Sequence, residues 1–484
     1  MRGRPHSTWF SVAYGLWLLG IFAYFVPAAT WNPVSRFDLT RAIVEHRTLS
    51  IDAYADNTGD RAFARGHWYT EKAPIASLLA VPAYSIFLVT QKLRGRRLEY
   101  SVFSTAEIPA RRVVVNGPFQ RALYVCSLST AGIGTAVLGV LLLRLLARRF
   151  TPRAALFGSS VTVLGTPLLP YATSFYGHAV AAAFLAGAVY ALFSELETPP
   201  TRALVRVSGA CLALAAGCEY LAAVPAIVIG AFFLVRERRQ GLLRHIADLA
   251  AGALAPSLLV AAYHTACFGS PFRTGYGFVV RPEFVKGHAS GLMGIHLPTL
   301  AGTIGISIGP RRGLFFLAPI TLFALAFGIR YARQTRDAAS RVGLFAFGAL
   351  FFVNAGYYMW WGGAAAGPRH LVPAVAFLCF GTAVAWDSRG RWAWVLLALL
   401  SVANFVVLTA VGLEAPDRGN ALFDYAYLRL LRGEIASLSG ATNIGMRLGL
   451  SPGATLGPLL VWMVLGARFL TRHASDVSAA SDDA

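Results

Sequence analysis

The chain has 484 residues, of which 56% are hydrophobic and only 14% charged, with a mean hydropathy of +0.56. Charge in soluble domains averages about 25%, so an ordinary soluble protein is excluded and a polytopic membrane protein is indicated. The formal charge of +20 does not point to nucleic acid, because much of the Arg lies in short loops beside hydrophobic segments, where it sets topology and meets anionic lipid.

In chain order, residues 9 to 28 form the first segment able to cross a hydrocarbon core of about 30 Å. It is read as a retained helix rather than a cleaved signal peptide. A polar insert follows at 32 to 74, with the carboxylates Asp38, Glu45, Asp52, Asp56, Asp60 and Glu71. In so apolar a chain this block lies outside the bilayer and is the first place to look for chemistry. Residues 36 to 45 alternate Phe37, Leu39, Ala42 and Ile43 with Asp38, Arg41 and Glu45, which predicts a short amphipathic helix lying at the interface, Asp38 and Arg41 forming a solvated ion pair. Thr58, Gly59 and Asp60 predict a turn. Residues 75 to 90 are apolar but short and interrupted by Pro82.

Further spans are expected near 122–146, 154–173, 176–195, 204–219, 221–236, 246–266, 313–331, 341–358, 369–386, 392–412 and 453–470, about twelve in all with the first. Residues 75–90 are read as lying along or dipping into the outer face instead of crossing, because the basic stretches at 148–153, 236–245, 330–336 and 387–391 are then all cytoplasmic and only 93–97 and 110–112 break the positive-inside pattern. The first loop (29–121), the corner at Tyr176 to His178, Glu219, the loop 267–312, the turn 360–370 and the loop 413–452 then share the extracytoplasmic face. Residues 1–470 are expected as one transmembrane domain and 471–484 as a disordered cytoplasmic tail, small, polar and acidic. The five cysteines lie in or beside apolar segments without metal-ligand spacing, so no disulfide framework or zinc site is indicated.

The succession RFDLTRAIVEHRTLSID and then GHWYTEKAPIASLLAVPAY resembles the first periplasmic loop of GT-C fold glycosyltransferases, the group that includes protein O-mannosyltransferases (glycosyltransferase family 39) and lipid A aminoarabinose transferases. The matching positions are Arg36 and Phe37, then Tyr69, Glu71, Lys72 and Pro74. The resemblance is clearest in the N-terminal third. Where that family carries an acidic pair this chain has Pro33 and Val34, preceded by Asn32, so the family's catalytic Asp has no counterpart. The resemblance implies an all-α polytopic fold with juxtamembrane helices in the first extracytoplasmic loop, in the cytoplasmic membrane, with the active site outside. It also implies transfer of a hexose or pentose from a polyprenyl-phosphate donor to a lipid, glycan or protein acceptor.

Such chemistry needs cations on the departing phosphate, where negative charge accumulates, and the candidates are Lys72, Arg36, Arg369 and His370. It needs a carboxylate to take or orient the acceptor proton, for which Asp60 and Asp52 stand ahead of Asp38 and Glu219. Sugar or acceptor contacts are expected from Trp68, Tyr69, Glu71, His178, Glu219 and Trp361, while Trp360 fits the interfacial aromatic belt. Arg311 and Arg312 are candidates for a phosphate or headgroup contact. No cofactor and no metal are expected, since no Asp-x-Asp cluster stands in the first loop. Two other classes fit the same composition: a flippase or transporter of lipid-linked sugars, disfavoured because the acidic block lies in a loop rather than at the bilayer midplane, and a non-catalytic scaffold of the same fold.

Overall fold

The structure is a computed structural model that describes residues 7–96, 117–196, 198–435 and 441–482. The expected positions of Ser101, Ser104, Arg111 and Arg112 outside the membrane fall beyond the described residues. Apolar runs become helices because a helix satisfies its own backbone polar groups, as a lipid-embedded segment requires. In chain order they are α1 (Thr8–Ala23), α2 (Trp31–Arg41), α3 (Ile75–Leu93), α4 (Gly117–Ala147), α5 (Pro152–Leu164), α6 (Gly177–Phe193), α7 (Arg202–Cys218), α8 (Tyr220–Glu237), α9 (Leu242–Phe268), α10 (Ile320–Thr335), α11 (Ala338–Ala355), α12 (Arg369–Asp387), α13 (Arg391–Val411) and α14 (Gly457–Asp482). Two short antiparallel ladders accompany them: β1 (Phe25–Val26) with β4 (Thr442–Asn443), and β2 (Arg61–Ala64) with β3 (His67–Thr70).

Among the described residues, seven helices (α3, α4, α8, α9, α11, α12, α13) are long and apolar enough to cross a membrane, and α1 and α6 are shorter apolar helices. Some expected spans are interrupted. The stretch 154–173 ends its first helix at Leu164 and restarts at Leu168 after Pro167, and 313–331 breaks at Ala318 and Pro319. The 75–90 stretch is longer than its apolar run suggests: α3 continues for 19 residues through Pro82. At the other end of the chain α14 runs from Gly457 to Asp482.

The bundle packs α9 on α7, α7 on α6, α10 on α12, α12 on α5 and α8 on α11. The polar insert is not laid over this bundle but set into it. Every residue of α2 from Asn32 to Arg41 is buried, so the expected interfacial helix with a solvated face is corrected. One side is covered by α3 and α4, where Phe37 meets Tyr84 and Phe119 edge-on at centroid distances of 5.3 and 5.1 Å. The other side is covered by the β2–β3 hairpin. The Asp38–Arg41 pair is accordingly interior, 3.9 Å apart with the Asp38 side chain fully buried, because the elements on both sides of α2 exclude water.

Candidate functional site

The site forms where the insert, the starts of α6 and α12 and the α7–α8 junction meet. The hairpin turns at Arg65 and Gly66, both in the left-handed region at φ 54 and 85, a conformation that glycine adopts freely. Its register pairs Arg61 with Thr70, which carries Asp60 on one strand alongside Glu71 and Lys72 on the other. The Ser35 hydroxyl of α2 pins both strands, at 2.6 Å from the Asp60 carbonyl and 2.6 Å from the Thr70 hydroxyl. Lys72 Nζ then lies 2.9 Å from Asp60 Oδ2 and 2.5 Å from Glu71 Oε1, all three side chains nearly buried.

Glu219 stands at the junction of α7 and α8, where the backbone turns extended (φ −154, ψ 117) and interrupts the helical run. Its Oε2 accepts a charged hydrogen bond from Arg36 at 2.9 Å and lies 3.4 Å from His178 Nδ1. The approach is close enough that a Cβ on Gly177 would come within 2.1 Å of the Cys218 carbonyl oxygen, and one on Gly275 within 2.5 Å of Glu71 Cα. Glycine is therefore required at both contacts.

These groups line a polar chamber of about 40 Å³ with Arg369, His370 and the rings of Tyr276, His288 and Tyr357. Past Asn32, Asp60, Tyr358 and Arg369 it continues into a cavity of about 690 Å³, whose farther wall carries Trp31, Tyr176, Trp361, Glu283 and Glu414. That size falls within the range of small-molecule sites.

The charges in the chamber are unequally engaged. Burial pushes the Glu71 carboxyl up to about 7, Lys72 only partly opposing it. For Lys72 itself burial works against the ammonium, but Asp60 and Glu71 outweigh it and hold its pKa above the ordinary value. Arg369 differs: among the described residues its guanidinium has no hydrogen bond or ion pair, and its buried Nε is without a partner. His370 is unpartnered at both ring nitrogens and meets His178 edge-on at 5.7 Å. An arginine with free donors beside buried carboxylates is suited to holding an anion while a neighbouring carboxylate handles a proton.

Of the residues singled out in the sequence, Asp60, Glu71, Lys72, His178, Glu219, Arg369 and His370 come together in the chamber, and Trp361 lines the larger cavity. Four do not join them. Asp52 sits on the exposed side of the hairpin, bonded to His67 Nδ1 at 2.7 Å and the Trp68 amide at 2.6 Å, because the register that brings Asp60 to Lys72 carries Asp52 to the opposite strand end. Trp68 stacks under Arg61 at 4.2 Å and Tyr69 packs on Phe268. Arg36, fully buried, is an interior tie: besides Glu219 it donates to Asn32 Oδ1 and to the carbonyls of Ala73 and Cys218. Arg312 likewise is not a headgroup contact but donates to the carbonyls of Trp361, Gly363, Ala415 and Pro416. Arg311 lies over Trp360 at 4.8 Å.

Tyr276, His288, Tyr357 and Tyr358 line the chamber without having been picked out from the sequence. The glycine-rich order of 268 to 278 was the one available signal for Tyr276; tyrosines at a helix end resemble belt residues and gave none for the pair at 357 and 358.

No sequence family and no curated protein matches the chain. Solved structures do. ArnT from Cupriavidus metallidurans in the apo state is 14% identical over 97% of this chain and 74% of its own, with a TM-score of 0.52. The Archaeoglobus fulgidus oligosaccharyltransferase in complex with Zn and sulfate is 14% identical over 83% of this chain, with a TM-score of 0.52; the present chain covers 52% of it. Both are GT-C fold glycosyltransferases, and at this identity the likeness is one of fold. The chain is a polytopic, predominantly helical membrane protein with the GT-C fold.

Proposed function

We propose that the chain is an integral membrane glycosyltransferase, moving a hexose or pentose from a polyprenyl-phosphate donor to a lipid, glycan or protein acceptor on the extracytoplasmic face of the cytoplasmic membrane. The observation that carries this is the buried Asp60, Lys72 and Glu71 cluster facing an unpaired Arg369 across one chamber. Arg369, with Lys72 behind it, takes the donor phosphate, and their charge stabilises the phosphate as the sugar C1–O bond breaks. Asp60 accepts the acceptor's hydroxyl proton as the new C1–O bond forms. Lys72, 2.9 Å from Asp60 Oδ2, aims that carboxylate at the acceptor. The sugar lies in the larger cavity against Trp31 and Trp361, whose faces suit a pyranose or furanose ring.

The test is sugar transfer by purified protein from polyprenyl-phosphate hexose and pentose donors, with binding of radiolabelled undecaprenyl phosphate measured in parallel. Asp60→Asn is expected to lower transfer by about 10² to 10⁴ with binding retained, and Arg369→Gln to lose binding. Full transfer by Asp60→Asn would remove that residue from the chemistry. A wild-type protein that binds the lipid phosphate and transfers no sugar would favour the scaffold.

A further inference from the structure

The helices that deliver the chamber residues end, at their far ends, in a second and quite different place. His178 opens α6, Glu219 directly precedes α8, and Tyr357 and Tyr358 follow the end of α11. The 18 residues of α11 put about 27 Å between its two ends, close to the hydrocarbon thickness of a bilayer. At that opposite end, the close of α4, α6, α8 and α10 and the start of α11 enclose a cavity of about 740 Å³, whose wall among the described residues has five arginines (Arg148, Arg149, Arg236, Arg336, Arg341) against the two carboxylates Glu195 and Asp337.

The arginines are not equally occupied. Arg149 is fully engaged, with Asp337 at 2.8 Å and the carbonyls of Leu145, Phe193 and Ser194. Arg148 pairs with Glu195 at 2.7 Å and Arg236 with Glu237 at 3.1 Å. Arg341 gives only its Nε, to the Ala332 carbonyl at 3.1 Å. Arg336, at the turn between α10 and α11, has no hydrogen bond or ion pair among the described residues. Among the described residues, Arg336 and Arg341 are thus cations without an acidic partner, both in the wall of one cavity.

That cavity shares Phe232 and Arg341 with an apolar groove of about 620 Å³ between α8, α10 and α11. Along α11 the groove is lined by Arg341, Leu344, Phe345, Phe347, Gly348 and Phe351, which recur at three and four residues on one side of the helix. Ten residues of rise carry it about 15 Å, the depth of one leaflet. It is open sideways, with Phe345 59% exposed.

We propose that this groove and its basic head are a binding site for one anionic phospholipid, its phosphate held by Arg336 and Arg341 and an acyl chain laid along α11. The charge pattern selects the occupant: two cations lacking acids match a headgroup with net negative charge, and a one-leaflet apolar trough matches an acyl chain and has no use for a soluble anion. The lipid would tie α8, α10 and α11 together at the end of the bundle away from the chamber. This inference rests on the membrane fold and not on the transferase reading.

Native mass spectrometry of the detergent-purified full chain tests it, with dioleoyl phosphatidylglycerol and dioleoyl phosphatidylcholine as probes. The wild type is expected to retain one phosphatidylglycerol at about tenfold lower concentration than phosphatidylcholine. The double variant Arg336→Gln/Arg341→Gln is expected to lose that preference. Gly348→Leu changes no charge, and its added Cβ meets nothing within 4 Å, so the helix packing stands while the side chain fills the groove; it is expected to displace the lipid as well, and it keeps the test open if the double variant does not fold. No preference for phosphatidylglycerol in the wild type, or retention undiminished in Gly348→Leu, overturns the proposal. So does displacement of the bound lipid by millimolar inorganic phosphate, which would mark an anion site without a lipid.

Discussion

Asp38→Asn is a sharp test of how deeply the polar insert is set into the bundle. The Asp38 side chain is fully buried; Oδ1 accepts from Asn57 Nδ2 at 3.3 Å, and Oδ2 has no partner among the described residues. Burial pushes the carboxyl from 3.8 up to about 8, Arg41 and Asn57 only partly opposing it and Glu45 adding to the rise. A folded-state pKa above the unfolded one means that the fold favours the protonated acid. The stabilisation is complete below the unfolded value and is lost as pH climbs through about 8. From pH 5 to pH 8 the folded chain holds close to one more proton than the unfolded, so three pH units at about 1.4 kcal/mol each set an upper limit of about 4 kcal/mol lost. Asparagine has the shape of the protonated acid and does not titrate. The variant should match the wild type at pH 5 within about 1 kcal/mol and exceed it at pH 8. The assay is denaturant or thermal unfolding followed by tryptophan fluorescence across that range. Titrating groups that do not interact with Asp38 act on both proteins alike, so the difference reports Asp38 together with its coupling to Arg41 and Glu45. Identical pH slopes would refute the buried, protonated carboxyl and the placement of α2 with it.

Three further outcomes are expected. Asp52→Asn, altering a side chain 42% exposed, should cost at most about 1 kcal/mol of stability and leave transfer unchanged, the opposite of Asp60→Asn in the same assay. Arg36→Met should destabilise by about 3 to 5 kcal/mol because it strands the buried Glu219 carboxylate, and adding Glu219→Gln should recover most of that loss in a double-mutant cycle of unfolding free energies. Arg312→Met removes a charged donor from the carbonyls of two separate turns, each such bond worth about 1.5 to 3 kcal/mol. Limited proteolysis should then cut near 361–363 or 415–417 in the variant and spare the wild type.

The bundle was legible because a membrane span is written as a continuous apolar run, readable without knowing its neighbours. The Glu71 and Lys72 segment was legible through the motif it shares with the GT-C first loop, and Glu219 because an ionisable residue inside an apolar run is costly unless it is partnered or faces a cavity. What a local pattern does not encode is which face another element will cover. The alternation of charge and apolar side chains over 36 to 45 is the same for an interfacial helix as for one enclosed by α3, α4 and a hairpin, and only the second is found. Asp52 and Asp60 likewise look equivalent in sequence, both acidic and both in the insert. Strand register separates them by pairing Arg61 with Thr70, and register follows from a turn and a packing face together. The tyrosines of the chamber come from segments some 200 to 290 residues away from Lys72, beyond the reach of any motif.

The junction of α1 and α14 has a consequence for the order in which the molecule is made. Trp17 and Trp462 exchange indole-to-carbonyl hydrogen bonds at 3.3 and 3.1 Å, and Phe25 and Val26, which run straight into the root of α2, are paired with Asn443 and Thr442. The arm that positions Asn32 and Arg36 is therefore anchored by residues that leave the ribosome more than 400 positions later. Until those residues have been added, the arm lacks the β1–β4 pairing and the indole hydrogen bonds that hold it. A chain stalled before residue 442 would carry every chamber side chain and still lack the pairing that anchors the arm leading into α2.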